Sequence, residues 1–218
     1  EGRRRRPHVL RVVLSHSRKG YTEAFWRQTT ENFIRGLENA LRHFGGVVRT
    51  LVIDNLRAAV KKVDWFEPEL NPKVVSFCEH YGTVILPTKP ARPRHKGKIE
   101  AGIKYVQDNG LAGKQFISLG AQNVYLAHWE ETVADTRIHG TTRRQVRAHF
   151  LAVEKPKLLP LPASLFPVFS EAPRKIHRVL DAGGAAIAGR LGARRLAGQH
   201  AHVVLLPIGL RDRQVTVE

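Results

Sequence analysis

The chain has 218 residues, enough for one good-sized domain or for one domain with a small appendage. Its 36 lysines and arginines outnumber its 19 aspartates and glutamates, and the formal charge of +17 favours a protein that neutralises nucleic-acid phosphates over one that is basic only for solubility or for contact with anionic lipid. A single cysteine excludes an intramolecular disulfide and a Cys-x-x-Cys zinc knuckle, and no apolar run reaches the roughly 18 residues of a membrane span, so we expect a cytoplasmic protein.

The first quarter of the chain predicts a hairpin, a helix and a buried strand. The apolar stretch from Pro7 to Leu14 and the segment "YTEAFWR" flank the turn-forming "SHSRKG", a pattern typical of an antiparallel hairpin. Thr29 or Thr30 then caps a helix that runs to about Phe44, whose apolar residues recur at helical spacing. The short apolar run "VVRTLVIDN" follows, and its length favours a buried strand.

The next segments alternate between helix and strand. We expect a short helix in "LRAAVKK", a helix from about Lys73 to Tyr81 with Cys78 on its apolar face, and a strand in "TVILP". A proline-rich loop over residues 87–95 leads into a helix in "KGKIEAGIKYVQDN". This order of elements indicates an α/β domain with a mixed sheet flanked by helices.

The C-terminal third predicts a long helix, a connector and a small β module. The helix extends from about Leu119 to Ile138, and prolines punctuate the segment after it. We therefore divide the chain into a core over residues 1–150, a Pro/Leu-rich linker over 151–170 and a mostly-β module over 171–218. The module contains "RKIHRVL", "HAHVVLLPIG" and "RQVTVE", which read as short strands.

Two carboxylates are candidates for chemistry. Asp54 follows a predicted buried strand, where open α/β sheets present ligand-binding groups, and its alternative role is to cap the next helix. Glu100 begins a predicted helix with Lys96 and Lys104 four residues away on either side. Its alternative role is a surface ion pair, worth a few tenths of a kcal/mol.

Together the two carboxylates predict a site for a hard cation in one α/β layer. Mg²⁺ and Mn²⁺ prefer oxygen ligands, and two such ions can clamp an in-line phosphoryl transfer. Basic residues around Glu100 would then hold a DNA backbone against the metal ions. These residues are Arg92, Arg94, Lys96, Lys98 and Lys104.

The motifs resemble the retroviral-integrase-type catalytic core, and specifically the IstA-like transposases of bacterial insertion sequences. The resemblance rests on "LVIDNLRAAV", "PRHKGKIEAGIKYV", "VVLSHSRKGYTEAF", "FGGVVRTLVIDNL" and "RIHGTT", and it covers about residues 7 to 170. It implies an RNase H-like fold and a metal-dependent strand transfer that joins transposon ends to target DNA. Asp54 matches the second acid of the family's Asp-Asp-Glu triad and Glu100 the third. The resemblance also implies an IstB-like AAA+ ATPase as partner, homo-oligomers and a location at the bacterial nucleoid.

The chain departs from this family at both ends. The family's first aspartate lies on the first strand of the core, but no aspartate precedes Asp54 here, and the chain contains no methionine. We therefore expect a fragment that begins inside the first hairpin, with a core incomplete at its N-terminus, one metal ligand fewer and no activity. The Ala/Gly/Arg-rich residues 182–198 do not resemble the family's small C-terminal β-barrel, which indicates divergence or a frameshift.

Two polar motifs carry weaker signals. His139 in "RIHGTT" has no nucleophile near it in sequence, so a structural or DNA-contact role is favoured. Ser15, His16 and Ser17 lack the G-x-S-x-G elbow of a hydrolase.

Two further functions remain open. In a non-catalytic basic nucleic-acid-binding protein, Asp54 would be a helix cap and Glu100 a member of a surface ion pair. A degenerate element product would have no selected function.

Overall fold

The structure, a computed structural model, describes residues 6–53, 60–62, 69–87, 101–167 and 200–207. Its centre is a five-stranded mixed sheet with helices on both faces, which confirms the predicted α/β class. The strands are β1 (His8–Leu14), β2 (Gly20–Phe25), β3 (Thr50–Ile53), β4 (Val60–Lys62), β5 (Glu69–Leu70), β6 (Val84–Pro87) and β7 (His200–Pro207). The central sheet has the order β2-β1-β7-β3-β6, and β4 pairs with β5 in a ribbon of its own.

The predicted N-terminal hairpin is confirmed. Strands β1 and β2 pair antiparallel, with His8 opposite Phe25 and Val13 opposite Gly20. Strand β2 lies at the edge of the sheet, and the side chain of Asn123 covers part of that edge: its Oδ1 accepts from Ala24 N at 2.7 Å and its Nδ2 donates to Ala24 O at 3.1 Å. This side chain supplies the backbone partners that an edge strand otherwise lacks.

Strand β7 lies in the central sheet rather than in the separate C-terminal module that the sequence predicts. It pairs antiparallel with β1 and parallel with β3, and so joins the hairpin to the parallel pair β3–β6. The run "HVVLLP" is apolar without alternation, as is typical of a strand in the middle of a sheet covered on both faces. Sequence pattern identifies such a strand but does not specify which sheet contains it.

The helix α1 (Thr30–Phe44) covers one face of the sheet, and both of its ends are capped as predicted. Thr29 Oγ1 accepts from Asn32 N at 3.2 Å, and Gly45 ends the helix with φ 68°. The predicted apolar stripe is buried against even-numbered residues of β1 and against α2 (Pro72–Tyr81). This larger core includes Leu10, Val12, Leu14, Phe33, Leu37, Leu41, Phe44, Leu51, Ile53, Phe77 and Cys78.

Two helices cover the opposite face. The helix α3 comprises residues 101–105 and continues as a π-helix over Val106–Leu111, and α4 (Leu119–Trp129) continues as a π-helix over Glu130–Ala134. Together with Val9 of β1 and Ala24 of β2, they form a smaller buried apolar cluster. Alternate residues of β1 thus reach two different cores, as strand geometry requires.

Two predicted element boundaries are wrong. The helix expected in "LRAAVKK" does not extend over Val60–Lys62, which form the strand β4. The helix from Leu119 ends at Ala134 rather than Ile138, because the chain turns there into an antiparallel bridge between Ile138 and Gln145.

The segment after this bridge packs back onto the larger core. A short helix, α5 (Val146–His149), continues as a π-helix over Phe150–Glu154 and a 3-10 turn over Lys155–Lys157. The proline-rich connector follows, and Leu159 exchanges two backbone hydrogen bonds with Val47. Within the described ranges, no helix combines the length and apolar character needed to cross a bilayer.

Candidate functional site

Strand β3, which directly precedes the candidate carboxylate Asp54 in the sequence, ends at a defined edge of the central sheet. Strand β3 runs parallel to β6 and β7 and ends at Ile53, which is paired with Pro87 and Val203. The residue after Ile53 therefore follows the carboxyl end of a parallel strand, the edge at which α/β sheets bind ligands. Asp54 itself lies outside the described residues.

Most of the predicted cationic patch also lies outside the described residues. This group contains the candidate metal ligand and its nearest basic neighbours: Glu100, Arg92, Arg94, Lys96 and Lys98. The helix that follows Glu100 is described from residue 101 and packs on β1. A methyl group at Gly102 would lie 3.5 Å from Val13 Cγ2. That distance is an ordinary van der Waals contact, so residue 102 lies against Val13 of β1 with room for a methyl group.

Lys104 is the one predicted DNA-contacting residue within the described ranges. Its side chain is 77% exposed, and its Nζ lies 2.7 Å from Asp108 Oδ2, one turn further along the helix. Such an exposed pair contributes a few tenths of a kcal/mol, so it restrains the ammonium only weakly. The apolar side of this helix is buried at Val106 and half-buried at Ile103.

A buried ionic cluster lies behind β1, on the side of α4. Arg11 is 3% exposed and pairs with Glu130, which is 1% exposed, and both side chains contact the hydroxyl of Thr22. Burial, and secondarily Arg137, lowers the pKa of the Arg11 guanidinium to about 9, so Arg11 remains charged at pH 7. Gly20 is required beside it, since a side-chain carbon there would collide with the guanidinium.

A second buried pair holds the end of the hairpin. Lys19 pairs with Asp135, and both side chains are largely buried. Asp135 also lies 3.9 Å from Arg147 Nε on α5. Lys19 and Asp135 are 116 residues apart in sequence, so no local pattern predicts their pairing.

The hairpin turn forms a polar junction with α5. The two carboxylate oxygens of Glu154 accept from His16 N and Ser17 N, each at 3.0 Å. His16 Nδ1 lies 3.0 Å from His149 Nε2. Ser17 Oγ accepts from Lys19 N at 3.1 Å, so this serine stabilises the turn.

His139 has a structural role within its own turn. Its Nδ1 accepts from Thr141 N at 3.3 Å and from Thr142 N at 3.4 Å. Burial, with the nearby charges of Arg137 and Arg18, lowers the pKa of His139, which keeps Nδ1 free to accept. The structural alternative predicted for this residue is thus favoured by its contacts.

In the part of the chain that the structure describes, no group of three or more His, Cys, Asp or Glu side chains is placed to hold a metal ion. Burial raises the pKa of the Cys78 thiol to about 12, so this thiol stays protonated at neutral pH.

Over most of its length the chain is similar in sequence to transposases of bacterial insertion sequences. It is 35% identical over 174 residues to a Sinorhizobium fredii protein classed as a transposase, y4bL/y4kJ/y4tB, covering 78% of this chain and 33% of that protein. For the Burkholderia multivorans protein of insertion sequence IS408, the identity is 32% over 188 residues, covering 81% of this chain and 35% of that protein. For the transposase of IS21 from Pseudomonas aeruginosa, the identity is 32% over 155 residues, covering 71% of this chain and 40% of that protein.

The chain thus spans between a third and two fifths of the length of these relatives, 33% to 40%. No family model matches its sequence. Among solved structures, it is similar to a simian T-cell lymphotropic virus intasome in complex with the PP2A regulatory subunit B56 gamma. That likeness has 20% identity and a TM-score of 0.40, and covers 75% of this chain and 55% of that chain.

Proposed function

The chain is a relative of the transposases of bacterial insertion sequences, and on that premise we propose that it forms the catalytic-core part of a DNA strand transferase. The core would comprise residues 1–150, followed by the linker 151–170 and completed by β7. The observation that carries the proposal is the sequence similarity over more than two thirds of the chain. The charge of +17 supports a polyanionic substrate.

We further propose that the core is RNase H-like. Three features of the described residues support this: an antiparallel hairpin, a parallel pair β3–β6 joined to it through one central strand, and helices on both faces. Strand β7 takes that central place, antiparallel to β1 and parallel to β3.

Asp54 and Glu100 are the proposed catalytic residues and metal ligands. Two carboxylates are a donor set that fits Mg²⁺ or Mn²⁺, which bind oxygen and share their remaining positions with water and phosphate. The ions would supply positive charge to a phosphodiester under attack. The chain's own basic residues would orient the DNA: Arg92, Arg94, Lys96, Lys98 and Lys104 would contact the backbone, whose phosphates they position without reading sequence.

The partners proposed on the same grounds are transposon ends, target DNA and an IstB-like AAA+ ATPase, with the protein acting as a homo-oligomer. Joining two DNA ends at one target calls for more than one catalytic core. The resemblance to IstA-like proteins is the support for the ATPase.

The test is Mg²⁺-dependent joining of a 3′-hydroxyl DNA end to a plasmid. The chain would be assayed as it stands and fused behind the preceding segment of the IS21 relative, which is longer than this chain. We expect joining by the fusion to be lost in Asp54→Asn and in Glu100→Gln, because each substitution removes a ligand charge. Asp108→Asn, which removes an exposed carboxylate eight positions after Glu100 in the sequence, is the matched control and should join normally.

Joining by the Asp54→Asn or Glu100→Gln fusion at the unsubstituted level would refute the catalytic assignment. Tight DNA binding with no metal-dependent joining by the unsubstituted fusion would favour the alternative, a non-catalytic nucleic-acid-binding protein. DNA binding is measured in parallel, so that loss of joining through misfolding is recognised.

A further inference from the structure

A surface pocket of about 340 Å³ lies where the β1–β2 turn meets the chain just before and within α5. It is lined by Ser15, His16, Thr142, Arg144 and His149. Leu14 of β1 pairs with Ala201 of β7, and Ala201 pairs with Leu51 near the start of β3. The turn after Leu14 therefore lies at the end of the sheet where β3 begins. The pocket is therefore at the opposite end of β3 from Ile53, the residue that precedes Asp54.

The side chains that line this pocket can all donate hydrogen bonds, and none is a carboxylate. His149 is 6% exposed, and its Nδ1 has no hydrogen-bond partner among the described residues. The same holds for the buried hydroxyl of Thr142. A buried polar group without a partner is destabilising, so a ligand that accepts hydrogen bonds would satisfy two such groups at once.

The histidine pair fixes what His149 can offer. If His16 Nδ1 carries its proton, it donates to His149 Nε2 across their 3.0 Å separation. The proton of a neutral His149 then resides on Nδ1, the atom without a partner. In this tautomer His149 presents an N–H donor. Burial, His16 and Arg144 lower the pKa of His149, which favours this neutral form.

The charges around the pocket favour an anion. Arg144 is exposed at the rim, and Arg18 lies in the adjoining turn with its own pKa lowered by burial. Glu154 is the opposing charge, and its two oxygens already accept from the backbone of His16 and Ser17. Its carboxylate is thus committed to the turn rather than to the pocket.

We propose that this pocket binds a phosphate-type oxyanion through Arg144, His149 and Thr142. Resting on the proposed function, that oxyanion is a backbone phosphate of duplex DNA, held at the end of the sheet away from the carboxylates proposed for catalysis. Such a contact positions DNA and adds to affinity without reading its sequence.

The first arm of the test uses inorganic phosphate and the full chain. Phosphate replaces chloride stepwise at constant ionic strength while the imidazole NMR signals of His16 and His149 are recorded. The variants His16→Asn and His149→Asn assign these two signals. We expect a saturable shift of both signals that is lost in Arg144→Gln and weakened in Thr142→Val, which keeps the charge. Arg147→Gln is the control, because Arg147 faces Glu131 and Asp135 rather than the pocket, and it should keep the shift.

The second arm measures binding of a fluorescent DNA duplex as a function of salt. Arg144→Gln should weaken binding roughly tenfold near 0.1 M salt. It should also make the negative slope of log K against log salt shallower by about 1 relative to Arg147→Gln. A phosphate shift with no Arg144→Gln effect on DNA binding would support the pocket but identify free phosphate as its ligand, which overturns the DNA assignment.

Absence of a saturable phosphate shift overturns the pocket as an anion site. If the unsubstituted chain fails to bind duplex DNA at all, the proposed function fails in this respect. The first arm then decides the pocket on its own.

Discussion

The two faces of the central sheet are held by different forces. On one face, Leu10, Val12 and Leu14 of β1 pack into a core of aliphatic and aromatic side chains. On the other, the smaller apolar cluster is joined by a buried ion pair: Arg11 lies between Val9 and Val13 and pairs with Glu130. Consecutive residues of a single strand therefore contribute to an apolar core and to an ionic one.

The stability that each face contributes depends on geometry to a different degree. Apolar burial grows with area and tolerates modest changes of shape, at about 25 cal/mol per Å². A buried ion pair repays the loss of hydration only when both partners are present and well placed. We therefore expect the free energy of unfolding to fall most when a substitution removes one charge of the buried ion pair. On the apolar face, the loss should depend on the side-chain volume that a substitution removes.

The largest effect should come from breaking the ionic face on one side only. Glu130→Leu leaves the Arg11 guanidinium buried without its carboxylate, and we expect the free energy of unfolding to fall by about 3–5 kcal/mol. Urea denaturation followed by circular dichroism measures it. The double variant Arg11→Met/Glu130→Leu should recover most of the loss, because it removes both charges. If the double variant is as unstable as the single one, the pair is not the cause.

A cavity in the apolar face should cost nearly as much. Leu37 on α1 is fully buried, and Leu37→Ala removes three carbon atoms from the larger core. We expect a loss of about 2–5 kcal/mol, measured in the same way. Ile117→Ala is the control, since Ile117 is 75% exposed and its truncation should change stability little. Equal losses in both variants would contradict the assignment of the core.

Acid should weaken the junction between the hairpin turn and α5. Burial, then His16 and Arg144, lowers the pKa of His149 below its ordinary value, against the opposing effect of Glu154. The unfolded chain then takes up the proton first as the pH falls below about 6.5. The stability contributed by neutral His149 is complete above that pH and is lost as the pH falls towards the folded pKa.

The measurement is the free energy of unfolding between pH 7 and pH 5. His149→Gln should flatten its pH dependence over this interval. His128→Gln, at an exposed position on α4, should leave the dependence as it is. An unchanged slope in His149→Gln would show that another group causes the acid sensitivity.

The smallest effect should come from the end of α1, outside both cores. Thr29→Ala removes the side-chain acceptor for Asn32 N, and we expect a loss of about 1 kcal/mol. Thr29→Ser should retain the cap and lose little. Thermal unfolding resolves a change of this size, and a loss as large as that of Leu37→Ala would mean that local capping, not packing, dominates this face.

The sequence predicts the apolar face well and the ionic face poorly. The spacing of Phe33, Leu37, Leu41 and Phe44 specifies a helix and its buried side, and the structure confirms both. Arg11 gives no such signal, because its partner is 119 residues away and becomes a neighbour only through the fold. The sequence also predicts a separate module for β7, because a strand's apolar composition does not determine which strands it pairs with.

For the candidate site, sequence motifs give the residues but not their geometry. Asp54 follows a strand that the structure confirms, and Lys104 is exposed as a DNA contact requires. Their roles stay predictions. The pocket around His149 carried no sequence signal beyond a basic composition, because it is formed by a turn and a helix that lie 133 residues apart in the chain.

Strand β7 makes the order of assembly matter. Until residues 200–207 dock, β1 and β3 each expose a row of unpaired backbone groups, and the hairpin and the β3–β6 pair remain two separate ribbons. Closing the sheet therefore requires contacts between residues nearly two hundred positions apart, which is slow for any chain. During that delay the open slot between β1 and β3 is a template for any extended segment of suitable register, including the same strand from a second molecule.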